Sequence, residues 1–161
     1  MAKINVEYSG ELFDDPQRLM KRIFGDAMLE TVMFAETQVA KKAPVGATGN
    51  LRAGIFGKLV QYNRGIVGVQ GPAMRYAEVV EHGRKPGKWP PRAPIELWVK
   101  RVIRPPRDEF DSVVFLVQRK IGRKGTKGKL MFKKSEKVVN RLANKTFEKA
   151  RDLIERLLSD K

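Results

Sequence analysis

From Pro16 to Lys42 the chain places Leu19, Ile23, Ala27, Thr31, Phe34 with Ala35, and Val39 at three- and four-residue steps. That spacing makes one stripe on a single face of a long helix. Asp14, Asp15 and Pro16 begin it. A carboxylate caps free amides, and proline suits the first helical position because it has no N–H to satisfy. Lys41 and Lys42 fall at the end where cations favour the helix dipole, and Pro44 stops the helix. Before it, Ile4, Val6 and Tyr8 alternate with polar neighbours and predict a short edge strand.

The run from Pro44 to Asn50 is a loop by composition. Leu51 to Tyr62 then predicts a strand, with Ile55, Leu59 and Val60 toward the core. Asn63-Arg64-Gly65 is a turn signal, and Ile66 to Val69 returns, giving a hairpin over 51–70. Ala73 to Glu81 predicts a short helix ending at His82-Gly83, with Gly83 as its C-cap. Arg84 to Pro94 contains Pro86, Pro90, Pro91 and Pro94 and predicts an extended, semi-rigid arm.

Ile95 to Ile103 predicts a short helix offering Leu97, Trp98 and Val102 for packing, stopped by Pro105-Pro106. Asp108 to Ile121 predicts another, with Phe110, Val113 and Val114, Val117 and Ile121 on one face. Gly122, Gly125 and Gly128 read as a lysine-rich loop, followed by a small apolar plug, Leu130-Met131-Phe132. Ser135 to Leu158 predicts a long final helix carrying Ala143, Phe147, Ala150, Ile154 and Leu157. The fold class is α+β: a long N-terminal helix packed on a small antiparallel β-sheet, a Pro-rich arm and C-terminal helices. At 161 residues, without internal repeats, the expectation is a single domain over 1–161.

Charge changes this picture most. Lys and Arg number 33 against 18 Asp and Glu, a net charge of +15. Residues 1–60 are net +1, 61–110 net +5 and 111–161 net +9. Arg119 to Lys145 holds eleven basic residues and one acid, Glu136. Such a segment is either a solvated loop or a surface facing phosphate or carboxylates. Arg119, Lys120, Arg123, Lys124, Lys127, Lys129, Lys133 and Lys134 are the candidates for a DNA channel or an acidic partner. The longest strongly apolar run, Val113 to Val117, is five residues, too short to cross a bilayer, and the N-terminus lacks a secretory apolar region.

Catalytic chemistry is missing. There is no cysteine, and His82 is the single histidine, so metal clusters and thiol chemistry are not expected. The run from Gly122 to Lys129 imitates a phosphate loop but puts Lys127 where the second glycine must stand. Glu78 and Glu81 share a helix face, and solvation or pairing with Arg75 and Arg84 accounts for them. The reading is therefore non-enzymatic, with no catalytic, cofactor or metal residues.

Three ordered segments carry a family resemblance. Lys42-Ala43-Pro44-Val45-Gly46-Ala47-Thr48-Gly49-Asn50-Leu51-Arg52 resembles an A-P-V-x-T-G-x-L-R type of run. Tyr76-Ala77-Glu78-Val79-Val80-Glu81-His82-Gly83 resembles Y-A-x-x-V-E-x-G, and Pro90-Pro91-Arg92-Ala93-Pro94 follows as the proline arm. In this order they resemble the tail-component family of tailed bacteriophages, the siphophage "gene product ten" group akin to minor tail protein Z. Residues 16–103 carry the likeness, and Gln118 to Thr126 is similar to longer members. The chain departs from the pattern by a helical insertion at about 104–132 and by its basic tail.

The resemblance implies a virion structural protein of the neck, tail-completion or tail-terminator position. It would form a homo-oligomeric ring, hexameric or dodecameric, at the head–tail junction around the DNA channel, after assembly in the host cytoplasm. Its partners would be head-completion or connector and tail-tube proteins, with non-specific contact to phage DNA and no membrane or cofactor. Interface candidates are Pro44, Thr48, Gly49, Leu51, Arg52, Tyr76, Glu81, Trp89, Pro91 and Pro94. Trp89 is the candidate anchor of an arm lying across a neighbouring subunit. The alternative is a nucleic-acid-binding protein using its basic C-terminal third.

Overall fold

The computed structural model describes residues 15–159. In chain order the elements are α1 (Pro16–Lys42), α2 (Asn50–Ala53), β1 (Ile55–Gln61), β2 (Arg64–Val69), α3 (Met74–His82), β3 (Gly83–Arg84), α4 (Arg92–Trp98), α5 (Phe110–Lys124), β4 (Thr126–Lys127) and α6 (Met131–Ser159). A 3-10 turn, Gly71–Ala73, precedes α3, and a π turn, Val99–Ile103, extends α4. The α+β class holds: a long N-terminal helix, an antiparallel two-stranded hairpin and C-terminal helices. The expected strand at Ile4, Val6 and Tyr8 lies outside the described residues.

The described residues group into two compact units. One takes the chain up to Glu36, Gly57–Val67 and the chain from Lys137; the other takes Thr37–Phe56 and Gly68–Glu136.

In the first unit, Asp15 caps α1 by accepting the Arg18 backbone N–H at 2.9 Å. Leu19, Ile23 and Ala27 of α1 form a core with Ala150 of α6. Phe24, Phe147 and Ile154 pack against it, the two rings stacking at 6.2 Å. A second line on α1, Gly25, Met28, Val32 and Glu36, meets the hairpin. A Cβ on Gly65 would lie 2.1 Å from Val32 Cγ2, so the bare backbone of β2 sits directly on the helix. The Gly57 N–H donates to Glu36 Oε2 at 2.8 Å. Of the predicted stripe, Leu19, Ile23, Ala27, Thr31, Ala35 and Val39 are buried and Phe34 is half-buried, but the stripe is one of two packed faces, and Val32 belongs to the other.

The hairpin differs from the expectation at its start. Residues 51–54 do not extend the strand: Asn50–Ala53 makes a helical turn entered through Gly49 at φ 73, and β1 starts at Ile55. Leu51 is buried by that turn rather than by a strand. Leu59 is half-buried and Val60 exposed, because α1 covers one face of the ribbon and alternate residues point away from it.

In the second unit, β3 pairs antiparallel with β4, Gly83 opposite Lys127 and Arg84 opposite Thr126. This corrects the reading of 84–94 as free of helix and sheet. Gly83 and Arg84 are in a ladder, and Arg92–Pro94 opens α4, where a proline in the first turn forfeits no intrahelical bond. The stretch between is tied to α5. The Gln118 side chain donates to Pro90 O at 3.0 Å, and Trp89 lies 5.6 Å from Phe115, ring to ring. Gly122 is in α5 rather than in a loop, leaving space for the Trp89 indole beside it.

Over α4 and the π turn that follows it, Val99 is the fully buried residue, whereas Leu97 and Val102, expected to pack, are exposed. α6 starts at Met131, four residues before the expected start. The expected plug is thus the helix entrance, with Met131 fully buried.

Candidate functional site

The three segments of the resemblance converge in the second unit. Pro44, Thr48 and Leu51 from the first, Tyr76 and Val80 from the second and Pro94 from the third, with Leu97 and Trp98 just beyond it, line one open groove of about 480 Å³. Its walls are mainly apolar. Tyr76 and Leu97 are each 37% exposed and Val45 is 52% exposed, so the groove presents apolar surface to its surroundings.

Local geometry explains the shape. Pro44 ends α1 by denying it a further N–H. Gly46 and Gly49 then take positive φ, 64° and 73°, which let the loop fold back onto α2. Gly49 N–H donates to Val45 O at 3.0 Å, and Arg52 reaches across to donate to Ala43 O at 3.1 Å. Gly49 and Arg52 therefore shape the loop without lining the groove.

The remaining interface candidates lie elsewhere. Glu81 is buried, and its carboxylate accepts the backbone N–H groups of Phe132 and Lys133, each at 3.2 Å. This corrects its reading as a solvated or Arg-paired carboxylate: it caps α6. Trp89 packs on α5 of its own chain and is still 51% exposed. Pro91 is the N-cap of α4. Arg92 forms ion pairs with Glu96 and Asp111, and its pKa is raised, first by the hydrogen bond to Glu96. His82 and Glu78 are exposed.

Of the basic candidates, Arg119, Lys120, Arg123 and Lys124 are exposed on α5, Lys127 and Lys129 are exposed around β4, and Lys133 and Lys134 are exposed in the first turn of α6. A different set surrounds a cavity. Lys100, Arg104 and Arg107 line a depression of about 560 Å³ with Pro105 and Phe110. The count of +5 over 61–110 held this signal, but the longer run after Arg119 overshadowed it. Val80, Leu97 and Trp98 of the groove were likewise absent from the expected interface; Val80 lies in the second motif, but only folding brings Leu97 and Trp98 beside the first two motifs.

Among the described residues no three His, Cys, Asp or Glu side chains are placed to hold a metal ion, and no helix is long and apolar enough to cross a membrane. Set against protein-family models, curated proteins and solved structures, the sequence has no match in any of the three.

Proposed function

We propose that this chain is a non-enzymatic virion protein of a tailed bacteriophage. It works as one subunit of a ring at the head–tail junction, in the neck, tail-completion or tail-terminator position. The observation that carries the reading is the apolar groove in which all three resemblance segments meet. An open groove of Pro, Leu, Tyr and Trp is suited to holding a partner's apolar side chains. Repeated head-to-tail, such a contact closes a ring.

The experiment combines sedimentation of the purified chain with complementation of a phage lacking it. Rings are expected from the purified chain. Leu97→Lys, at an exposed groove position, should leave a folded monomer that fails to complement, with heads and tails accumulating unjoined. Normal joined particles in the absence of the chain overturn the proposal, as does full complementation by Leu97→Lys.

A further inference from the structure

The π turn after α4 ends on Arg104, a non-glycine residue at φ 56 and ψ 51. Side chains rarely occupy that region, and such outliers cluster where a side chain must be aimed. Pro105 follows and fixes the exit. The Arg104 N–H closes the turn on Val99 O at 2.8 Å, and its Nε donates to Arg101 O at 3.1 Å.

Arg104 and Lys100 form a wall shared by two depressions. One, of about 560 Å³, is completed by Arg107, Pro105 and Phe110. The other, of about 510 Å³, includes Arg101, itself held by Ala47 O at 2.9 Å. The two adjoining depressions together form a cleft lined by four cations, with the Phe110 ring in the lining of the first. Asp108 and Glu109 follow Arg107 in sequence but line neither depression.

We propose that this cleft is a binding site for the phosphodiester backbone of a nucleic-acid strand, with Lys100, Arg101, Arg104 and Arg107 on successive phosphates and Phe110 beneath a sugar or base. Guanidinium forks match phosphate oxygens, and repeated cations along a cleft suit a repeating anion better than one small ion. An aromatic ring in the lining gives a nucleotide a stacking surface that a carboxylate does not use. The site is separate from the basic run after Arg119 and does not depend on the ring reading: it can hold if no ring forms.

The test is fluorescence anisotropy with a labelled single-stranded oligonucleotide, its duplex, a mononucleotide and polyglutamate. Binding of the strand should weaken steeply with salt. The variant Lys100→Gln/Arg104→Gly/Arg107→Gln should lose about tenfold or more in affinity and flatten the salt slope by about 2 for a single strand. Arg104→Gly alone relieves the backbone and so keeps the fold; it should lose about threefold. Phe110→Leu should weaken the single strand about fivefold and spare the duplex.

The comparison variant is Arg119→Gln/Lys120→Gln/Arg123→Gln/Lys124→Gln, which removes one more charge and should bind more tightly than the cleft variant. Equal or greater loss in the comparison variant overturns the proposal. Polyglutamate or the mononucleotide binding as tightly as the strand also overturns it, as does unchanged binding by Arg104→Gly.

Discussion

The Glu81 carboxylate accepts the backbone N–H of Lys133 at 3.2 Å, across 52 positions of chain. Its other oxygen accepts the N–H of Phe132. Both amides belong to the first turn of α6, which has no acid of its own and carries Lys133 and Lys134 instead. Cations there oppose the helix dipole. Glu81, arriving from the end of α3, supplies the negative charge and the acceptors that the local sequence lacks. The same residue's backbone O accepts from Leu130 N–H at 3.1 Å, so one residue sets where α6 begins.

Removing that cap should be costly. Glu81→Ala is expected to lower the unfolding free energy by about 1–3 kcal/mol, because two amides lose a charged acceptor. Glu81→Gln keeps one carbonyl oxygen and should lose roughly 1 kcal/mol through the missing charge. Urea unfolding measures both, and an Ala variant with the parental midpoint would contradict the capping role.

Gly125 stands at φ 67, and a Cβ there would fall 2.0 Å from the carbonyl oxygen of Arg84. Backbone cannot yield as a flexible side chain can. Gly125→Ala should destabilise by about 2 kcal/mol or more, the left-handed conformation alone costing roughly 1–2. The loss should appear in denaturant unfolding, together with faster amide exchange at Gly83 and Lys127 as the β3–β4 ladder opens.

Phe147 joins the core of the first unit through Phe24, whereas Leu153 on the same helix is 46% exposed. Phe147→Ala should cost about 2–3 kcal/mol, less than a fully buried ring, and Leu153→Ala should stay within about 0.5. Thermal unfolding of the two variants separates them, and equal shifts would show that the Phe24–Phe147 contact carries no special weight.

Net charge should make stability depend on salt. The chain carries +15, and the basic candidates from Arg119 to Lys134 are all exposed. Ionic strength rising from about 0.01 to 0.1 M shortens the screening length from about 30 to 10 Å and damps their repulsion. The melting temperature should rise over that range; a fall would mean that attractive pairs dominate.

What was legible in the sequence was local. Pro16 and Asp15 mark the start of α1, Gly83 closes α3, and a hairpin turn is announced near Asn63, though it falls one residue early, at Tyr62-Asn63, with Arg64 and Gly65 already in β2; these local caps and turns need only neighbouring residues. The three resemblance segments were also read in order, but their meeting in one groove was not. Nothing near Tyr76 in sequence indicates Leu97 or Trp98. Trp89 was expected to reach a neighbour; its contact with Phe115 depends on α5 running past it, 26 residues later.

By itself, then, the sequence determined the long helices, the existence of the hairpin and the total charge, set by interactions within a few residues or by simple summation, whereas the helical turn at Asn50–Ala53 and the β3–β4 ladder needed the fold. Tertiary structure decided which apolar face of α1 meets which element, why Glu81 is buried, and which cations share a cleft. Helical periodicity shows that a stripe exists; only packing supplies the surface that covers it. A carboxylate's role depends on the donors folding brings to it, and Glu81 found backbone amides where its neighbours Arg75 and Arg84 had been the expected partners. Charge in the sequence is a number, and Lys100, Arg104 and Arg107 became a site when the π turn brought them around one cavity.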